Sequence, residues 1–314
     1  MKQFSPKTLL ATAALTLGLG VSGSALASGS ASDYAKTEYP IVLVHGFMGM
    51  DTAAGIVDYW YGIPEALEKD GADVHVVLVS PANSPEVRGE QLIDQIEDIL
   101  AATGAEKVNI IGHSHGSPTS RYAAAVIPDK VASVTGVAGV NNGVEFADAL
   151  EAGEQKLIRT ILPFLADAMA FISSNQNPND MASALYSMST TGMNEFNANY
   201  PAGAISPESC GEGDYSVNGV NYYSWSGRSD QTGHITTLID PIDLLFAYTG
   251  SLYERPNDGL VATCTSHLGK VIRDDYFLNH LDTTNGLLGL TNDLKTDPVG
   301  IFVSHANRLK EAGL

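Results

Sequence analysis

Basic residues are scarce in this chain: 17 Lys and Arg stand against 36 Asp and Glu, a formal charge of −19 over 314 residues. The acidity is spread along the sequence instead of gathered in a tail. Such a surface repels nucleic acid and anionic lipid headgroups, which favours a neutral or small substrate over a polyanion. Cysteine is scarcer still, with only Cys210 and Cys264, and the two show no metal-ligand spacing. No internal repeat breaks the length into units. Long apolar runs are missing too. The apolar run from Leu9 to Val21 follows Lys2 and Lys7 and leads to Ala25-Leu26-Ala27, the pattern of a secretory signal with a cleavage site. It is too short and too rich in small residues for a membrane anchor. These features predict a signal over residues 1–27 and one exported domain over 28–314, with no stable membrane insertion. In an exported chain the two cysteines read as one disulfide closing a loop of roughly 55 residues, for which chain entropy gives about 4 kcal/mol.

What is present begins with Val108-Asn109-Ile110-Ile111-Gly112-His113-Ser114-His115-Gly116, an apolar run that stops in Gly-x-Ser-x-Gly. The helix-compatible Thr119-Ser120-Arg121-Tyr122-Ala123-Ala124-Ala125 follows. Strand, tight turn and helix in that order form a nucleophile elbow. The glycines let strand and helix pass closely, and the strained turn exposes the serine hydroxyl near a helix N-terminus that can stabilise an oxyanion.

Around the elbow the chain alternates. Ile41-Val42-Leu43-Val44 reads as a buried parallel strand stopped at Gly46, and a helix over Glu65 to Lys69 is closed by Asp70-Gly71. Asp73 to Val79 has the continuous apolar character of a strand covered on both faces. Ser84-Pro85-Glu86 opens a helix with Leu92, Ile93, Ile96, Ile99 and Leu100 at helical spacing. A further strand covers Val131 to Ala138 and ends in the turn Asn141-Asn142-Gly143. The rhythm predicts an α/β chain with a mostly parallel central sheet and helices on both faces. From about 144 to 189 helical pattern replaces it, and the apolar segment Ile161 to Ile172 predicts either a core helix or a lid over the site. Val217-Asn218-Gly219-Val220 is a hairpin turn, and the last quarter reads as loops until a helix over Val303 to Glu311.

A serine hydroxyl needs a base, and the base needs a carboxylate. In chain order the acid and then the histidine follow the serine. The candidate bases are His234, His267, His280 and His305; order and a loop setting favour His280. The candidate acids are Asp258, in the turn Asn257-Asp258-Gly259, and Asp240, Asp243 and Asp282, each of which suits an Asx turn equally well. Asp240 and Asp282 also suit a hard cation such as Ca²⁺, although no EF-hand loop is present.

Tyr39 to Gly46, Val87-Arg88-Gly89-Glu90-Gln91-Leu92, Gly112 to Gly116, Tyr222 to Gly227, Asn257 to Val261 and Asn279-His280-Leu281-Asp282 occur in one order. Together they make the chain resemble the secreted triacylglycerol lipases of Pseudomonas and its relatives, from about Tyr39 to the C-terminal helix. The resemblance implies an α/β-hydrolase fold, with Ser114 as nucleophile, Asp258 as acid and His280 as base. It also implies an oxyanion hole from the backbone N–H groups of Phe47 and His115. Calcium would be held by Asp240, Asp282 and the carbonyls of Gly286 and Leu290, and Cys210 would pair with Cys264. Such lipases often need a membrane-anchored foldase and leave the cell by the type II route. Three positions depart from the family pattern: Gly139-Val140-Asn141-Asn142-Gly143 replaces an Ala-Pro-His-Lys/Arg-Gly turn, Ser117 stands where glycine is common, and Gly286 replaces a glutamine. The expectation is a secreted lipase acting on lipid esters at an oil–water interface. The alternatives are an esterase or polyester depolymerase of the same fold, and a binding module on an inactive hydrolase scaffold.

Overall fold

Successive residues of the first strand face opposite ways, and the core divides accordingly. In strand β1 (Ile41–Val44), Val42 and Val44 pack with Leu92, Ile93 and Ile96 of α2 (Pro85–Thr103) and Ala123 and Ala124 of α3 (Gly116–Val126). Ile41 and Leu43 pack the other way, with Ile63 and Leu67 of α1 (Ile63–Lys69) and with Phe302 and Ala306 of the last helix, α8 (Pro298–Glu311). The sheet is therefore covered on both faces. The computed structural model describes residues 32–49, 59–156, 158, 178–206, 209–230, 232, 241–291 and 296–314. The signal segment, the whole of the segment Ile161 to Ile172, His234 and Asp240 lie outside the described residues.

The strands are β1, β2 (Val74–Val77), β3 (Val108–His113), β4 (Val131–Val137), β5 (Ser216–Val217), β6 (Val220–Gly227) and β7 (Lys270–Tyr276). They run in the order β2-β1-β3-β4-β6-β5, with β7 also paired to β6. Among the described residues, these strands pair in parallel except in the β5–β6 hairpin at Asn218-Gly219. The chain steps outward from β1 to β2 and then crosses back to β3, so the strand order reverses between β1 and β3. That is the switch point at whose carboxyl ends such sheets form crevices. Its two flanks are Gly46-Phe47 after β1 and Ser114-His115 after β3.

Helix α2 starts as its sequence suggests: the Ser84 hydroxyl accepts from the Val87 N–H and Pro85 occupies the first turn. The last helix begins earlier than the apolar periodicity indicates, because Asp297 caps Gly300 and Pro298 opens the first turn. Strand β2 is not covered on both faces. It is an edge strand, with Val76 39% exposed, and the side chains of Gln91 and Gln95 bond the backbone of Ser80 and Leu78 just beyond it. Two further elements fall in the region read as loops: helix α7 (Pro241–Gly250) and strand β7.

Within the 144–189 region the described residues are helical at both ends, in α4 (Glu145–Glu151) and α5 (Met181–Met188), and α6 (Thr190–Asn199) follows. The helix expected over Ile161 to Ile172 lies outside the described residues. Cys210 and Cys264 are joined, with Cα atoms 4.8 Å apart across a sequence separation of 54. Among the described residues, no helix is long and apolar enough to cross a membrane.

Candidate active site

Ser114 follows β3 directly and has φ 54, the left-handed region that a non-glycine residue enters only when its surroundings enforce it. The enforcement is visible. Its N–H donates to the Val137 carbonyl (2.9 Å), and its own carbonyl accepts from Ser117 and Val140 (3.0 and 3.1 Å). The flanking glycines are required by distance: a Cβ on Gly112 would stand 2.3 Å from the Gly116 carbonyl oxygen, and one on Gly116 would stand 2.4 Å from that of Val44. Gly46 comes up against the serine from the β1 side, where a Cβ would lie 2.8 Å from the Ser114 Cβ.

Asp258 and His280 are brought together. His280 Nδ1 and Asp258 Oδ2 are 2.9 Å apart, and both side chains are buried. The other carboxylate oxygen, Oδ1, accepts from the N–H groups of Leu260 and Val261 (3.0 and 2.8 Å). Asp258 is thus both an Asx-turn residue and the partner of a histidine, two roles that the sequence offers as alternatives. The backbone repeats the link, with the His280 N–H donating to the Asp258 carbonyl at 2.8 Å. The His280 ring lies against the His113 ring, centroids 4.7 Å apart, which sets it beside the residue preceding Ser114.

His113 is itself fixed. Its Nε2 faces the His280 carbonyl (3.0 Å), which can only accept, so Nε2 carries the proton. Its Nδ1 then accepts from the Tyr59 hydroxyl (2.5 Å), whose oxygen in turn accepts from the Gly46 N–H (2.8 Å). Burial first, and then the neighbouring His280, hold His113 well below the ordinary histidine range, so it is neutral. Nothing in the spacing of Tyr59 singled it out; Tyr59-Trp60-Tyr61 reads simply as an aromatic lead into α1.

Arg88 is the largest surprise. It is fully buried on α2, and burial pulls its pKa down to about 9. One nitrogen donates to His115 Nδ1 (2.7 Å), and the other to the carbonyls of His45 (2.6 Å) and Gly46 (3.3 Å). The Gly46 carbonyl also accepts from His45 Nδ1 (2.8 Å) and from the Gly49 N–H (3.2 Å). A signal for Arg88 exists in the sequence: residues 88, 92 and 96 share one face of α2, so a cation stands on the apolar stripe.

A peptide unit is planar and trans, so fixing its carbonyl aims the N–H of the next residue the opposite way. The Gly46 carbonyl belongs to the unit that carries the Phe47 N–H, and the Ser114 carbonyl to the unit that carries the His115 N–H. Both carbonyls have two or more donors. Among the described residues, no acceptor engages either N–H.

The other candidates separate from this cluster. His305 is buried between Arg308 and Thr135 Oγ1 (3.1 and 2.8 Å), and burial lowers its pKa to about 3, so it is a neutral packing residue. His267 bridges the Gly211 carbonyl and Asp274 beside the cystine. Asp243 and Asp282 are both buried and are linked through Thr232 and Asn279: Thr232 donates to Asp282 Oδ2 (2.6 Å) and Asn279 Nδ2 to Asp243 Oδ1 (2.9 Å). Asp282 Oδ1 and the Leu290 carbonyl both face the α-carbon of Gly286, where a Cβ would lie 3.2 and 3.6 Å from them. Among the described residues, no three acidic, histidine or cysteine side chains are grouped closely enough to hold a metal.

Similarity to known proteins follows the same lines. Residues 39–282 match the alpha/beta hydrolase fold family. A triacylglycerol lipase of Vibrio cholerae serotype O1 is 49% identical over 94% of each chain. One of Pseudomonas fragi is 40% identical over 90% of this chain and 99% of its own. Among solved structures, lipase 1 of Pelosinus fermentans superposes with a TM-score of 0.58 at 16% identity, covering 88% of this chain and 99% of that one, a likeness of fold alone. By its sequence match, its near full-length relatives and its sheet, the chain belongs to the α/β-hydrolase fold family and to the triacylglycerol lipases within it.

Proposed function

We propose that the protein is a secreted triacylglycerol lipase that cleaves carboxylic esters through an acyl-enzyme formed on Ser114. The observation that carries this reading is the pair of peptide units beside the serine, each with a saturated carbonyl and an unengaged N–H. Two donors oriented before substrate arrives suit the oxygen of a tetrahedral intermediate, the charge that acyl transfer must stabilise.

The reaction follows from the residues. Ser114 Oγ attacks the ester carbonyl carbon while His280 Nε2 takes its proton, and the carbonyl π electrons move to the oxygen facing Phe47 N–H and His115 N–H. Asp258 stays ionised, holding the proton on His280 Nδ1 so that Nε2 is free to act as base. Collapse of the intermediate breaks the ester C–O bond, and the proton on Nε2 passes to the departing alcohol. Water then attacks the acyl-enzyme, His280 taking its proton, and the fatty acid leaves with Ser114 restored.

Asp282, with Asp240 and the carbonyls of Gly286 and Leu290, would hold a calcium ion. The fit rests on oxygen donors: Asp282 Oδ1 and the Leu290 carbonyl converge beside Gly286, which leaves them space by having no side chain. The cation would supply positive charge that holds together the loop following His280. Export through the N-terminal signal, with a dedicated foldase, completes the proposal; the relatives' names speak for the lipid ester and leave the foldase to experiment.

The test is a profile of initial rates across acyl lengths, below and above the solubility limit, with Ser114→Ala as control. A lipase gains activity on dispersed long-chain triacylglycerols, and Ser114→Ala abolishes it. Rates confined to short soluble esters assign the chain to the esterases, and full activity in Ser114→Ala overturns the mechanism.

A further inference from the structure

The His115 ring is steered from a helix to which the reaction assigns no part. Arg88 has only donors, so His115 Nδ1 must accept from it (2.7 Å) and the ring proton must sit on Nε2. That nitrogen lies 2.9 Å from the hydroxyl of Ser187, on α5. The Ser187 hydroxyl gives its own proton to the Ala184 carbonyl one turn earlier (2.8 Å), so towards His115 it acts as acceptor. The direction of every bond is settled: Arg88 to His115, His115 to Ser187, Ser187 to Ala184. Both His115 and Ser187 are buried.

The N-terminal end of α5 is tied as well, to the loop that starts α2. Asp180 N–H donates to the Ala82 carbonyl (2.7 Å), Asn179 accepts from Ala82 N–H (3.2 Å), and Asn83 donates to the Pro178 carbonyl (3.1 Å). Ser84, the next residue, caps α2, which carries Arg88. Helix α5 therefore holds the start of α2 at one end and the His115 ring near the other, and Arg88 closes the circuit through both oxyanion loops.

We infer that Ser187 is a positioning residue, which couples the placement of α5, at the base of the 144–189 segment, to the orientation of the His115 N–H beside Ser114. The inference rests on the acyl-transfer reading above. An alanine at 187 fills nearly the same space but leaves the Nε2 proton of His115 without an acceptor, so the ring and its peptide lose one of their constraints. The effect belongs to the transition state, where the His115 N–H acts, and leaves ground-state binding alone.

The experiment uses the full-length protein, titrated with a p-nitrophenyl phosphonate so that rates refer to active sites, and a soluble short-chain ester. Ser187→Ala is expected to lower kcat per titrated site about tenfold with KM within about twofold, less than the loss seen when an oxyanion donor is removed outright. Inhibition by an alkyl boronic acid, whose tetrahedral adduct needs the same donors, weakens in parallel. Ser187→Thr, which keeps the hydroxyl, restores both. An unchanged kcat in Ser187→Ala, or a Ser187→Thr as slow as Ser187→Ala, overturns the coupling. Failure of the phosphonate to label Ser114 in the unaltered protein would instead overturn the acyl-transfer reading.

Discussion

Ser114 and the Asp258–His280 pair are held by different means. Around Ser114 the restraints are backbone hydrogen bonds and the absence of side chains: a strand on each side, and glycines at 46, 112 and 116 that admit main chain where no Cβ fits. Around Asp258 and His280, beside the one backbone bond that links them, they are side-chain bonds between loops and the end of α7, from Thr249 Oγ1 to the Gly259 carbonyl (2.6 Å), Thr283 Oγ1 to the His280 carbonyl (2.7 Å), and the Thr232–Asn279–Asp282 network. The first arrangement is a property of the sheet. The second is assembled from residues far apart in sequence and depends on each polar group finding its partner. The lesson is that damage to the first should unfold the protein, whereas damage to the second should inactivate it first.

The sharpest way to break that contrast is Asp258→Asn. Asparagine keeps the shape and one carbonyl oxygen, so the Asx turn to Leu260 and Val261 survives. With Oδ1 kept in the turn, the amide Nδ2 stands opposite His280 Nδ1 and donates to it, so the ring proton moves to Nε2 and the base is lost. A fall in kcat of about 10⁴-fold is expected, with the melting temperature moved by only a few degrees. An equally large loss of stability would place Asp258 with the structural residues.

The two regions also differ in how far they could be read in advance. The elbow was legible because strand, turn and helix lie within one contiguous stretch and each has its own local pattern. Asp258 and His280 were legible only through motif order and resemblance, since Asx turns suit several aspartates equally. Strand β7 was missed because it is an outer strand whose Lys270, Arg273, Asp274 and Asp275 break the apolar pattern. Helix α7 was missed because Leu244-Leu245-Phe246 reads as an apolar run without period. Arg88 and Ser187 act through contacts with residues distant in sequence; Arg88 leaves a trace as a cation on the apolar stripe of α2, whereas Ser187 leaves none. The adjacency of β2 to a single neighbour is likewise a fact of topology that an apolar run does not encode.

Calcium sharpens the same contrast. If the ion sits on Asp282 and the Leu290 carbonyl, chelation should loosen residues 279–290 before it touches the sheet. At saturating metal the linkage contribution is about 2.7 kcal/mol for a hundredfold excess over the dissociation constant. In a chain of this length that corresponds to a fall in melting temperature of roughly 4–5 °C on adding a chelator. Hydrogen exchange should then quicken in the His280 loop while the amides of β3 and α3 keep their protection. A melting temperature indifferent to chelator removes the metal from the proposal.

The smallest effect tests the nucleophile side, at a polar contact that lies apart from the Arg88–His115–Ser187 chain. Two of the departures from the family pattern meet there: the Ser117 hydroxyl donates to Asn141 Oδ1 (2.9 Å), and Asn141 Nδ2 donates to the Ser266 carbonyl (2.9 Å) near the cystine. A serine where glycine is common and an altered turn are therefore one change, because each supplies what the other requires. The pair sits against Gly136 and Gly139, where a Cβ would lie 2.7 Å from Ser117 side-chain atoms, so the hydroxyl occupies space that the glycines leave. Ser117→Ala strands a buried acceptor on Asn141 and is expected to cost about 1–3 kcal/mol in urea denaturation. The elbow's backbone bonds do not pass through this hydroxyl, so kcat per active site should stay within about twofold. A large loss of activity with unchanged stability would mean that the placement of Ser114 itself depends on a side-chain hydrogen bond, and the contrast between the two regions would fail.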